Sequence, residues 1–215
     1  MRFEGAIFDL DGTLLDSMHF WNDLGAEYLR YKGIIPQDNI NEVLRTLSLE
    51  QSIRYFKEVY LIKGSEEEIK KEIIGLIENQ YRFKVPLKPY VKPFLHKLCN
   101  NNVKMCIATA TDYNLALAAM ERLGIAEYFK FIFTCTEAGL GKDNPEFFLK
   151  TLERLKTSIS ETIVFEDSLH AIKSAKAAGF FVSAVYDKSS EEDKEEIISI
   201  ADIYLNSFED WEMKL

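Results

Sequence analysis

The sequence is poor in the residues that would tie it to an oxidising compartment, a nucleic acid or a membrane. Cysteine occurs only three times in 215 residues. Cys99, Cys106 and Cys135 are far apart and form no CxxC pair, so a reducing compartment is expected rather than a disulfide framework. Cys106 and Cys135 sit in apolar runs, VKMCIA and FIFTC, and read as buried small hydrophobes. Basic residues are outnumbered 26 to 35, for a net charge of -9. Such a surface repels nucleic acid and anionic lipid, and neither is expected as a partner. No stretch approaches the ~18 consecutive apolar residues of a membrane span, and MRFEGAIFDL is too weakly apolar for a signal peptide. A cytoplasmic protein is the expectation, and a monomer its expected state. His96 and His170 have no second ligand at metal spacing and read as structural or surface residues.

What is present is an ordinary globular composition, 47% apolar and 28% charged, enough for one core and a small second domain. Short continuous apolar runs recur: GAIFDL (5–10), VKMCIAT (103–109), FKFIFTC (129–135), TIVFE (162–166), FFVSAV (180–185) and ADIYL (201–205). Continuous rather than alternating runs suit strands of a parallel sheet covered on both faces. Helix signals lie between them. Asp112 precedes NLALAAMERL, Asn144-Pro145 precedes EFFLKTLERLK, and Ser168 opens LHAIKSAKAA, which closes at Gly179. The alternation predicts a doubly wound α/β domain with ligands at the C-terminal ends of its strands.

Between about residues 17 and 85 the alternation stops. HFWNDLGAEYLRYKG has helical spacing, and Ser48 with Gln51 and Ser65 with Glu68 match capping boxes. A helical insert is expected there, with VPLKPYVKP as a stiff proline-rich return connector.

Four strand ends concentrate the chemistry. In DLDGTLLDS, Asp9 and Asp11 follow an apolar strand, where residues two apart share a side. They form either a capped turn or a carboxylate pair whose repulsion a cation or a shared proton relieves. Thr109, with Ala110, Thr111 and Asp112, ends the next strand as either a helix cap or a phosphate cradle. Lys142, in GLGKDNPEFF, is either a solvated loop charge or the cation an anionic substrate needs. Glu166-Asp167 ends TIVFE as a second acidic pair; beside the first pair in a sheet, it would make an oxygen-rich site suited to Mg²⁺.

These four elements, in this order and each at a strand end, resemble the haloacid dehalogenase-like superfamily of hydrolases, most closely the β-phosphoglucomutase-like phosphatases. The resemblance implies a Rossmann-like parallel-sheet core, residues 1–15 and 87–215. A four-helix cap, 16–86, would be inserted after the first strand. It implies Asp9 as nucleophile, Asp11 as general acid/base, Thr109 as phosphate ligand and Lys142 as its neutralising charge. Leu10 and Ala110 would join the phosphate site. Asp9, Asp11 through its main-chain carbonyl, Glu166 and Asp167 would hold Mg²⁺. The implied activity is hydrolysis of a small phosphorylated metabolite, such as a sugar phosphate, through an aspartyl-phosphate. A proton donor at Asp11 weighs against dehalogenation, since a halide leaves without a proton.

The departures from the pattern favour hydrolysis over the alternative, a hexose phosphate mutase. Leu49 falls near the place of the mutases' cap arginine, with Arg45 one turn earlier. Trp21 stands where they carry histidine, His19 lying two residues away, and Asp112 stands where they carry lysine. A separate departure bears on the geometry of the Lys142 loop and not on that choice: it reads KDNP where relatives commonly have proline straight after the lysine. Phe20 and Trp21 read as cap core or as part of a lid. A non-catalytic binding protein on the same fold would have lost a nucleophile or a metal ligand, and none is lost.

Overall fold

The computed structural model describes residues 3–44 and 47–211. Arg45 lies outside them. The chain divides into two compact units. One comprises the chain up to Ser17 and from Val85 onward, and the other is Met18–Lys84. Among the described residues, no helix is long and apolar enough to cross a membrane.

The larger unit is a six-stranded parallel sheet. Its strands are β1 (Gly5–Phe8), β2 (Lys104–Thr109), β3 (Phe129–Thr134), β4 (Thr162–Glu166), β5 (Phe181–Val185) and β6 (Ile203–Leu205), in the order β3-β2-β1-β4-β5-β6. This is a Rossmann-like arrangement, whose order reverses between β1 and β4; ligands settle outside such a switch point. Alternate residues on each strand face opposite layers. Ile7 and Val164 enter one core with Phe147, Phe148, Ile172 and Ile197. Phe8 and Phe165 face the other way and stack at 4.4 Å, with Phe94 and Trp211 edge-on or tilted around them. Burial on both faces explains why the strands read as unbroken apolar runs.

Among the described residues, the smaller unit contains four helices: α1 (Met18–Tyr31), α2 (Ile40–Leu44), α3 (Leu49–Val59) and α4 (Glu66–Phe83). Reciprocal capping boxes start α3 at Ser48/Gln51 and α4 at Ser65/Glu68. Tyr28, Leu29, Ile53, Phe56, Ile69 and Ile73 form its core. Trp21 Nε1 donates to Tyr81 Oη at 2.9 Å, which fixes the indole within this unit.

The remaining helices, α5 (Val91–Asn100), α6 (Tyr113–Arg122), α7 (Cys135–Ala138), α8 (Pro145–Leu155), α9 (Leu169–Ala177) and α10 (Lys194–Ile200), belong to the larger unit. Asp112 caps α6, accepting from Asn114 N, and Asn144 caps α8, with Pro145 at its first position. The expected connector VPLKPYVKP is only partly one. Val91 already begins α5, and Pro93 sits in the first turn, where a missing N–H breaks no helical bond. The third strand stops at Thr134, one residue earlier than its apolar run, because Thr134 caps the short α7. Cys106 is buried as expected, whereas Cys135 is only half-buried.

Two chain segments meet where the inserted unit leaves and returns. Asp16 N–H donates to Pro86 O at 3.0 Å and Lys88 N–H to Leu14 O at 2.9 Å, with an antiparallel bridge between Leu15 and Leu87. Lys88 then reaches the end of β5. Its Nζ donates to Tyr186 O at 2.6 Å and pairs with buried Asp187 at 2.8 Å.

Candidate active site

The parallel register of β1 and β4 sets Phe8 beside Phe165, and Asp9 N–H continues the ladder by donating to Phe165 O at 2.9 Å. The next side chains out, Asp9 and Glu166-Asp167, therefore emerge together at the switch point. One carboxylate oxygen from each of Asp9, Glu166 and Asp167 lies within 4.8 Å of the others, and all three residues are buried. Lys142 reaches in from the loop before α8. Its ammonium donates to Asp9 Oδ1 and, at 2.5 Å, to Glu166 Oε1.

Each member is locked by a neighbour. Glu166 Oε2 accepts from Asp167 N (2.8 Å), Ser168 N (2.9 Å) and Ser168 Oγ (3.0 Å). Ser168 precedes α9 without capping it through its side chain; the hydroxyl serves Glu166 instead. Thr13 Oγ1 donates to Asp167 Oδ1 at 3.1 Å.

The electrostatics follow from burial. Desolvation raises Asp9 to about 7, against the pull of Lys142 and with the push of Glu166 and Asp11. Burial, then Glu166 and Asp9, holds Asp167 well above the usual carboxylate range. Burial would also raise Glu166, but Lys142 and the Ser168 donors bring it below its ordinary value. Burial works against the charge on Lys142, and Asp9 and Glu166 outweigh it, so its pKa is raised and it remains an ammonium. Three carboxylates against one ammonium leave negative charge uncompensated when all are ionised. A divalent cation that takes hard oxygen ligands fits that deficit.

Asp11 is not one of the three clustered acids, though its charge acts on Asp9. The Asp11 carboxylate is held instead by Ser17 Oγ on Oδ1 and Thr111 Oγ1 on Oδ2, each at 2.6 Å. Thr109 is buried at the end of β2, and its Oγ1 accepts from Thr111 N at 3.0 Å. Leu10 is fully buried and Ala110 exposed. His19, His96 and His170 are exposed. Sequence reasoning missed the roles of Thr13, Ser17, Ser168 and Lys88. Only Lys88, a charge among prolines, carried a visible signal.

Strand order and buried acid cluster define the class, a Rossmann-like α/β protein with a carboxylate cluster at the β1/β4 switch point. The sequence profile of the haloacid dehalogenase-like hydrolases matches residues 6–185. A phosphorylated-carbohydrate phosphatase of Thermotoga maritima is 27% identical over 176 residues, covering 82% of each chain. Hexitol phosphatase A of Escherichia coli is 28% identical, covering 86% of this chain and 84% of its own. Among solved structures, a provisionally named β-phosphoglucomutase of Thermotoga maritima superposes with a TM-score of 0.83 at 24% identity, covering 94% of each chain. The chain belongs to the haloacid dehalogenase-like hydrolases.

Proposed function

We propose that this chain is a Mg²⁺-dependent phosphatase of a small phosphorylated metabolite, with a sugar phosphate as the substrate class. The observation that carries the reading is the buried Asp9–Glu166–Asp167 cluster bridged by Lys142. The relatives support the substrate class: beside the two phosphatases above, a fructose-1-phosphate phosphatase of Escherichia coli is 25% identical over 188 residues.

In this reading Asp9, Asp167, Glu166 and the Asp11 main-chain carbonyl hold the cation. When bound, Mg²⁺ would offset charge on the phosphate and on the carboxylates. Lys142 adds a fixed positive charge toward Asp9. Asp9 attacks phosphorus, the P–O bond to the leaving group breaks, and its electron pair stays on the leaving oxygen. Asp11, protonated at that moment, gives its proton to that oxygen. It then takes one from the water that hydrolyses the aspartyl-phosphate. The Thr109 hydroxyl, with the main chain at Leu10 and Ala110, holds the phosphate oxygens. Residues 1–15 and 87–215 act as the catalytic core and 16–86 as the cap that selects the leaving group.

A panel of phosphorylated metabolites, assayed for phosphate release with Mg²⁺ and with chelator, tests the reading. Expected are Mg²⁺-dependent release from sugar phosphates and its loss in Asp9→Asn, with the variant still folded. Retained turnover in Asp9→Asn would refute the nucleophile assignment. An isomerised sugar phosphate formed only with added bisphosphate would replace the phosphatase by a mutase. Against that outcome, the Asp112 carboxylate is engaged in capping α6.

A further inference from the structure

We infer that Thr111 is a positioning residue that sets Asp11 in register with the phosphate-holding end of β2. The inference rests on reading Asp11 as the group that protonates the leaving oxygen. Both oxygens of Asp11 are taken by hydroxyls at 2.6 Å, the short range of bonds to a charged acceptor. The two donors differ in what they report. Ser17 lies six residues along from Asp11, on the same outgoing segment. Thr111 lies 100 residues away, just past the last residue of β2.

Thr111 holds two things at once. Its side chain donates to Asp11, and its backbone N–H donates to the hydroxyl of Thr109 at 3.0 Å. The proton donor and the phosphate cradle are thus tied through a single residue. A hydroxyl suits the task because it donates to a carboxylate and accepts from a carboxylic acid, so the contact survives both protonation states of Asp11. Thr111 is half-buried, with solvent within reach, yet spends its proton on Asp11. A misplaced acid fails most where the leaving oxygen most needs a proton.

The test compares kcat/KM for p-nitrophenyl phosphate, whose leaving group is stable as an anion, with phenyl phosphate, whose leaving group is more basic. Thr111→Val keeps the shape and the bond to Thr109 while removing the hydroxyl. We expect it to lose about tenfold more activity on phenyl phosphate than on p-nitrophenyl phosphate, a fraction of what a whole acid supplies. Thr111→Ser should restore the ratio, and Thr111→Ala substitutes if the valine variant does not fold. Asp11→Asn is the control and should show at least as steep a ratio. A steep ratio in Asp11→Asn with an even loss, or none, in Thr111→Val overturns the positioning role and leaves the acid reading standing. An even loss in Asp11→Asn overturns the acid reading, and the role of Thr111 with it.

Discussion

Asp167 packs its carboxylate directly against Gly12: a Cβ at Gly12 would lie 2.4 Å from Asp167 Oδ2, closer than any non-bonded contact allows. The same glycine holds φ at +84, where side chains are strained. Gly12→Ala is therefore expected to destabilise the protein by about 1–3 kcal/mol and to push Asp167 away from Asp9. Urea denaturation and Mg²⁺ titration calorimetry should show both effects. Native stability with unweakened Mg²⁺ binding would contradict the packing.

The metal-free protein should lose stability as pH rises through the window between 3.8 and about 7. Asp9 has its folded pKa raised, so in that window the native state keeps a proton that the unfolded chain has released, and the slope is negative. Asp167, also raised, works in the same direction. Glu166, lowered, gives the opposite slope at more acidic pH, below 4.5. Melting curves in chelator from pH 4 to 8 check this, and Mg²⁺ should flatten the decline. A metal-free protein whose melting temperature rises between pH 5 and 7 would exclude it.

Lys142→Met should abolish turnover and also weaken the fold. Removing one partner of a buried ion pair costs about 3–5 kcal/mol, and here the lysine serves both Asp9 and Glu166. The loss should be larger at pH 8 than at pH 5, because protonation of the orphaned carboxylates relieves their repulsion. Chemical denaturation at the two pH values measures the difference.

Asp187→Ala should strand the Lys88 ammonium, which has few other partners than Tyr186 O, and cost about 3 kcal/mol. The double variant Lys88→Met/Asp187→Leu should recover most of that loss. Equal destabilisation by single and double variants, read from thermal melts, would show that the pair itself is not what matters.

Much of this molecule could be read directly. All six strands fall within the apolar runs, since double-sided burial leaves little room for polar residues. Both capping boxes form as Ser48 and Ser65 announce. Asp9, Glu166 and Asp167 come together because each stands at or just past a strand end, a position visible in one dimension, and Lys142 joins them from the loop before α8. What stayed hidden depends on the third. Ser168 looks like a helix cap until Glu166 is seen to claim its hydroxyl. Asp11 looks like a twin of Asp9 until Ser17 and Thr111 are seen to hold its carboxylate. Pro93 looks like a linker residue because a proline in a first helical turn and one in a connector give the same local signal.

The position of β1 between β2 and β4 has a consequence for biosynthesis. Gly5 pairs with Lys104 on one side and with Thr162 on the other. As the chain leaves the ribosome, its first strand must therefore wait for most of the rest before its second edge is covered. Contacts this distant in sequence form slowly, and an uncovered apolar edge is open to the wrong partner meanwhile. The same pairing brings the three acids together. The nascent protein is thus spared the repulsion of Asp9 against Glu166 and Asp167 until β4 docks, and the arrival of phosphatase activity would time that event.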